Sequence, residues 1–292
     1  MGNIIDGKLI SSQIRDEIAE NVKKLKRKPG LAVIIVGEDP ASQIYVRNKE
    51  KACEQVGFYS KTYRLNQEAT TYELLNLINV LNFDDKIDGI LVQLPLPKHI
   101  DEKAVIEAIK PEKDVDTFSE KNTGKIMIGT QTISPCTPSG IIELLKRYNI
   151  DICGKTCVVV GRSNIVGKPM AMLLLQENGT VTICHSKTEN LKEITKTADI
   201  LVVAIGKSKF ITRDMIKNNA VIIDVGMNRD ENGKLSGDVD FENVKDIVSY
   251  ITPVPGGVGP MTITMLLKNT FMLSLKNQKI RYRCSRCRGP VT

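Results

Sequence analysis

Strand-like and helix-like segments alternate along almost the whole of this chain, a pattern that folds into parallel sheets covered by helices on both faces. Ser11 or Ser12 is placed to cap a helix whose apolar residues Ile14, Ile18, Val22 and Leu25 recur at helical spacing and stop before Pro29-Gly30. Leu31 to Val36 is an unbroken apolar run, as in a strand buried on both faces. The turn Gly37 to Ala41 then hands over to Ser42 as the expected cap of a second helix, with Gly57 as its stop. Phe58 to Leu65 reads as the next strand, and Thr70-Thr-Tyr-Glu73 has capping-box spacing ahead of Leu74, Ile78 and Leu81. Ile87 to Leu94 is a further strand, closed by Pro95-Leu96-Pro97 and followed by a short helix over Asp101 to Ile109.

From Lys110 to Pro138 the periodicity weakens while Pro, Gly and Thr accumulate, which predicts a long functional loop and a domain junction near residue 140. Alternation then resumes. A helix over Pro138 to Tyr148 precedes strands at Thr156 to Val160, Val181 to Cys184, Ile200 to Ala204 and Ala220 to Val225. A last apolar helix, Met261 to Leu275, is placed to pack back onto the first domain. The fold class expected is therefore α/β with two domains: an N-terminal α/β catalytic domain (1–139, plus the return helix 260–276) and a Rossmann-type nucleotide-binding domain (140–259). Residues 277–292 read as a basic, disordered tail.

The net charge of +7 raises the question of a nucleic-acid or membrane partner. Its distribution answers against one, because Lys276, Lys279, Arg281, Arg283, Arg286 and Arg288 carry most of it in the tail and leave the body close to neutral. No apolar run approaches bilayer-spanning length and the start lacks a leader-like pattern, so a cytoplasmic enzyme is expected. Seven cysteines at irregular spacing suit reduced thiols. Cys284 and Cys287 form a CxxC without a second ligand pair, in a chain with two histidines, and no metal site is expected.

The strand Thr156 to Val160 runs into Gly161-Arg-Ser-Asn-Ile-Val-Gly167 and then a helix, which aims backbone amides and a helix N-terminus at a pyrophosphate. The spacing is irregular, since Ser163 and Val166 stand where the second and third glycines of the usual fingerprint would be. The next strand ends Cys184-His185-Ser186-Lys187-Thr188, with no carboxylate to repel a 2′-phosphate. Ser186 can donate a hydrogen bond there, and Arg162 or Lys187 can supply charge, so NADP is favoured over NAD; Lys187 reads equally as a solvated turn residue.

Tyr45 and Lys49, spaced i, i+4, project from one helix face far upstream of that loop. This order argues against the short-chain dehydrogenase arrangement and for a site between two domains. The motifs Tyr45-Val-Arg-Asn-Lys49, Asp88 to Pro97, Lys113-Asp-Val-Asp116, Pro135-Cys-Thr-Pro138, Gly161 to Gly167 and Pro253 to Pro260 occur together and in sequence. In these segments the chain resembles the bifunctional methylenetetrahydrofolate dehydrogenase/methenyltetrahydrofolate cyclohydrolase family, from residue 4 to about 275.

The resemblance implies oxidation of 5,10-methylenetetrahydrofolate with NADP, then hydrolysis to 10-formyltetrahydrofolate, by a homodimer joined through its nucleotide domain. By resemblance Lys49 is the key lysine, Gln93 holds it, Tyr45 stacks or hydrogen-bonds near the pterin, and Asp116 pairs with the pterin's amidine-like edge. Val92, Leu94 and the turn Pro255-Gly256-Gly257-Val258-Gly259 would meet the folate, while Gly161, Arg162, Ser163, Ser186 and Met227 would meet the cofactor. A lysine serves as a base only where its surroundings lower its pKa. Three positions depart from the family's habit: Thr117 replaces a usual glycine, Ser139 a usual basic residue and Ser208 a usual proline. The competing readings are a dehydrogenase with little cyclohydrolase activity and a non-catalytic NADP-binding sensor.

Overall fold

In a computed structural model of the chain the described residues are 2–229, 233 and 235–287, with only the backbone described for Ala41 and residues 279–287. The chain forms two compact units. One comprises the residues through Gln13 together with Ile126–Thr130 and Pro135–Met265; the other comprises Ile14–Lys125, Gln131–Ser134 and the residues from Leu266 onward.

The first unit is built on a six-stranded sheet. Its strands are β1 (Asn3–Ile4), β5 (Thr156–Val160), β6 (Thr180–Cys184), β7 (Ile200–Val203), β8 (Val221–Asp224) and β11 (Tyr250–Ile251), in the order β1-β11-β8-β7-β5-β6. All of these pairings are parallel. From β5 the chain moves to β6 on one side and then crosses to β7 on the other, which makes the carboxyl ends of β5 and β7 a topological switch point, where open α/β sheets bind ligands. Helices α6 (Cys136–Arg147), α7 (Gly167–Gln176), α8 (Leu191–Thr195) and α9 (Phe241–Val244) and the small hairpin β9 (Asn228–Arg229) and β10 (Leu235–Ser236) complete it. Val158, Val160, Leu201, Val203 and Ile222 form the core of one face, each at most 2% exposed.

The second unit has β2 (Gly30–Val36) between β3 (Tyr59–Leu65) and β4 (Gly89–Val92), again parallel. Every residue of β2 is buried, as its unbroken apolar run predicts. Truncating a central residue such as Ile34 to Ala would cost about 2–5 kcal/mol. Around the sheet stand α1 (Gly7–Lys23), α2 (Pro40–Val56), α3 (Thr71–Phe83), α4 (Glu102–Ala108) and α5 (Glu120–Met127). The long final helix α10 (Val258–Cys287) begins in the first unit and continues in the second, where Asn269 Nδ2 donates to the carbonyls of Val115 and Ser134 at 2.9 and 2.8 Å.

The structure departs from the sequence reading at several points. The first thirteen residues join the six-stranded unit because Asn3 and Ile4 pair in parallel with Tyr250 and Ile251. Helix α1 starts at Gly7, where Asp6 Oδ1 accepts from Leu9 N at 3.0 Å; Ser11 is buried within the helix and shares a 2.7 Å hydrogen bond with Thr264 Oγ1. Asp39, not Ser42, caps α2. The stretch read as a loop after Lys110 contains α5. The expected unstructured tail is helical through Cys287, while residues 288–292 and the side chains of Cys284 and Cys287 lie outside what is described. No helix among the described residues is long and apolar enough to cross a membrane.

Candidate active site

Helix α2 is held at both ends by local chemistry. Asp39 Oδ2 accepts from Ser42 N at 2.7 Å, Pro40 occupies the first turn, and Gly57 closes the helix at φ 77°. Tyr45 and Lys49 lie on it one turn apart, and both are half-buried. Lys49 Nζ donates to Gln93 Oε1 at 2.8 Å. Gln93 follows β4, where its backbone N–H donates to Ile34 O and its Nε2 donates to Leu94 O at 2.7 Å. Both ends of the Gln93 amide are therefore engaged, which leaves its oxygen turned to the lysine. Val92 is buried and Leu94 half-buried beside it.

Asp116 sits half-buried at the end of a segment anchored by its neighbours. Lys113, buried, donates through Nζ to Leu81 O at 2.8 Å and Asp84 O at 2.7 Å. The Asp114 carboxylate accepts from the backbone N–H of Thr117, Phe118 and Ser119 and from Asn122 Nδ2, at 2.9–3.3 Å. Asp114, rather than Asp116, is thus the loop cap. To make this bend Thr117 adopts φ 63°, the left-handed region a glycine enters freely, which explains the glycine expected there.

At the switch point the ends of β5, β6 and β7 surround a cavity of about 270 Å³ whose lining includes Val160, Gly161, Arg162, Ser186, Lys207 and Phe210, with His185, Leu191, Ala204 and Ile205. Gly161 has φ 133°, and a Cβ there would lie 2.4 Å from Ala204 O. Gly167 packs the start of α7 so closely that a Cβ would lie 2.3 Å from Gly161 O; it performs the task of the third fingerprint glycine one position late. Ser163 is exposed and its Oγ accepts from Val166 and Gly167 N–H at 3.2 and 3.3 Å, so this side chain closes the loop. Lys187 is exposed and outside the cavity lining, whereas Arg162 is part of it. Met227 is 51% exposed, with its sulfur 3.8 Å from where a Gly259 Cβ would be.

The turn Pro255–Gly259 belongs to the same unit as this cavity. Gly256 has φ 110° and its carbonyl accepts from Lys8 N at 3.1 Å, and a Cβ on Gly7 would lie 1.8 Å from Gly257 O. The start of α1 thereby fixes the turn. Val258 is buried and Gly259 is exposed.

Two family models match the chain. One, described as tetrahydrofolate dehydrogenase/cyclohydrolase, catalytic domain, covers residues 5–116, and the other, tetrahydrofolate dehydrogenase/cyclohydrolase, NAD(P)-binding domain, covers residues 135–278. The chain belongs to the tetrahydrofolate dehydrogenase/cyclohydrolase family. The bifunctional protein FolD of Agathobacter rectalis is 62% identical over 272 residues, 92% of this chain and 98% of that protein. Among solved structures, the FolD methylenetetrahydrofolate dehydrogenase/cyclohydrolase of Campylobacter jejuni matches at TM-score 0.92 and 50% identity, covering 96% of this chain and all of that one (100%). The Trypanosoma brucei methylenetetrahydrofolate dehydrogenase-cyclohydrolase, complexed with NADP cofactor and inhibitor, matches at TM-score 0.91 and 40% identity over 95% of this chain and 99% of that one.

Within this family member the sequence-expected residues fall into two groups: Tyr45, Lys49, Val92, Gln93, Leu94 and Asp116 in the three-stranded unit, and the Gly161 loop, Ser186, Met227 and Pro255–Gly259 in the six-stranded unit. Sequence reading missed Ala204, Ile205, Lys207 and Phe210, which line the cavity just beyond β7. The available signal was their place after a strand adjacent to the switch point. The Ser208 departure is also accounted for: Phe210 N donates to Lys207 O with Lys209 at φ 52°, a turn whose second position suits proline, and Ser208 instead hydrogen-bonds Ser236 Oγ at 2.8 Å. Ser139 Oγ donates to Pro135 O at 2.9 Å in the first turn of α6.

Proposed function

We propose that this chain oxidises 5,10-methylenetetrahydrofolate with NADP and hydrolyses the resulting 5,10-methenyltetrahydrofolate to 10-formyltetrahydrofolate, with Lys49 as the proton-handling group of the second step. The observation that carries the assignment of Lys49 is its 2.8 Å hydrogen bond to Gln93 in a chain of this family. Bound NADP supplies the hydride acceptor. The carbon that loses hydride is flanked by two nitrogens that stabilise the cation formed, so the chain's contribution to that step is orientation. In the second step water adds to the cationic carbon, and the added oxygen gives up one proton to solvent and a second to the ring nitrogen as the carbon–nitrogen bond breaks. Lys49, steered by Gln93, is the group that moves that proton. Tyr45, on the same face of α2, limits the motion of the ring. Asp116 accepts two hydrogen bonds from the pterin edge, and Val92, Leu94 and Pro255–Gly259 supply apolar and backbone contact.

The six-stranded unit fits NADP. Gly161 and Gly167 allow backbone to approach a pyrophosphate, no carboxylate ends β6, and Arg162, Ser186 and Lys207 line the cavity with charge and a hydroxyl. Assembly as a homodimer is supported by β6, an outer strand of the sheet whose Ile183 is 37% exposed. The test of the function is a two-signal assay: methylenetetrahydrofolate with NADP or NAD, following reduced nicotinamide and the methenyl absorbance separately. Formation of reduced nicotinamide with transient methenyl product supports both steps, and persistent methenyl product would leave a dehydrogenase alone.

A further inference from the structure

Asp224 and Asp238 have no part in the chemistry above, yet they are among the most buried carboxylates of the described residues: Asp224 is 3% exposed and Asp238 0%. We infer that Asp238 is a positioning residue for the cofactor, its carboxylate holding the Ile205–Gly206–Lys207 turn in the shape that lines the cofactor cavity. The inference rests on the reading of that cavity as the NADP site.

Asp238 Oδ2 accepts from Ile205 N at 2.7 Å and Gly206 N at 3.0 Å, while Oδ1 accepts from Lys207 N at 2.8 Å and Asn228 Nδ2 at 2.9 Å. Three successive backbone amides thus converge on one anion, the concave arrangement that proteins use to grip phosphates and carboxylates. Here the group they grip is a side chain of the chain itself. The turn it shapes contributes Ile205 and Lys207 to the cavity, with Ala204 and Phe210 on either side. The backbone at Asp238 extends the hold, because Ile211 N donates to Asp238 O at 2.9 Å and Lys209 N to Gly237 O at 3.0 Å.

Asp238 is itself fixed from behind. Its N–H donates to Asp224 Oδ1 at 2.9 Å, and Val239 N donates to Asp224 Oδ2 at 2.9 Å. The approach is so close that a Cβ on Gly226 would lie 2.4 Å from Asp238 Cγ and one on Gly237 1.9 Å from Asp224 Oδ2. A side chain clamped on both sides in this way has no rotamer freedom left, and neither does the turn it holds. Loss of that turn's shape misplaces the cavity wall and should weaken NADP without touching the residues around Lys49.

The test uses the full chain and two activities. Hydrolysis of supplied methenyltetrahydrofolate needs no NADP, so it reports whether the rest of the enzyme is intact. Asp238→Asn replaces an acceptor oxygen by a donor facing backbone amides; the expected result is a KM for NADP raised about ten-fold or more, with hydrolysis near wild type. A folded D238N enzyme with unchanged KM for NADP, or one losing both activities in parallel, overturns the inference. If D238N is insoluble, Asn228→Ala removes one donor and leaves the carboxylate, and a KM for NADP unchanged there overturns it equally, against an expected rise of about three-fold. Arg162→Ala separates the two levels. If it leaves NADP binding intact, the cavity reading falls and the inference with it; if it weakens NADP while D238N does not, only the positioning role falls.

Discussion

Lys49 and Gln93 are joined by a 2.8 Å hydrogen bond although one lies on α2 and the other beyond β4. The glutamine oxygen that accepts from the lysine is neutral, and the far side of its amide is held by Leu94 O. Lys49→Met should therefore abolish hydrolysis of the methenyl substrate by about 100-fold or more while the folded state persists, since the residue is half-buried and its stem is retained in length. Methenyl decay set against a thermal melt checks this, and unchanged turnover would remove Lys49 from the mechanism. Gln93→Glu should slow hydrolysis at neutral pH and move its pH profile upward, because a carboxylate at hydrogen-bond distance favours the charged amine.

Thr117 carries a backbone that L-residues avoid. At φ 63° a β-branched side chain costs about 1–2 kcal/mol, and its buried Oγ1 finds no hydrogen-bond partner. Glycine would relieve both while adding freedom to the unfolded chain. Thr117→Gly should raise stability by about 1 kcal/mol in urea unfolding, with the Asp114 network intact; a destabilised variant would show that the threonine methyl contributes more than the strain costs.

Asp224 links stability to pH. Burial pushes its carboxyl up to about 6, with the nearby Asp238 carboxylate adding to the rise, against three backbone N–H groups that favour the anion. The folded state therefore holds this proton more tightly than the unfolded chain, whose ordinary value is 3.8. The stability this provides is complete below about pH 4 and is lost as pH rises to about 6, a change of about 3 kcal/mol. Carboxyls held low by partners, such as Asp199 and Asp214, act in the opposite sense at lower pH. The difference between wild type and Asp224→Asn isolates the one group: urea midpoints at pH 4 to 7 should converge or cross as pH rises, and parallel curves would exclude Asp224 as the titrating group.

Ile183 tests the proposed assembly. Placed on the outer strand β6 and 37% exposed, it should tolerate Ile183→Lys in a monomer at little cost, yet a charge there would oppose pairing of two such edges. Light scattering should report a wild-type dimer and a dissociated variant; a monomeric wild type would place no partner on this strand.

The local grammar of this protein was legible in its residues. The buried run Leu31 to Val36, the Thr70–Glu73 capping box, the Gly57 stop and the strand-loop-helix around Gly161 are written within a few positions each, because helical period, caps and left-handed turns depend on neighbours in the chain. The motifs that carry Tyr45, Lys49, Gln93 and Asp116 are also local, and the fold joins Lys49 to Gln93 across 44 positions of the chain. What tertiary structure alone decided was where distant backbone meets: β1 joining the sheet of the other half, Gly7 pressed on Gly257, and the amides of Ile205 to Lys207 gathered on Asp238. Backbone N–H and C=O groups are the same at every residue except proline, which lacks the N–H, so their long-range partners leave no mark in composition or period, and only the folded chain reveals which carboxylate they share.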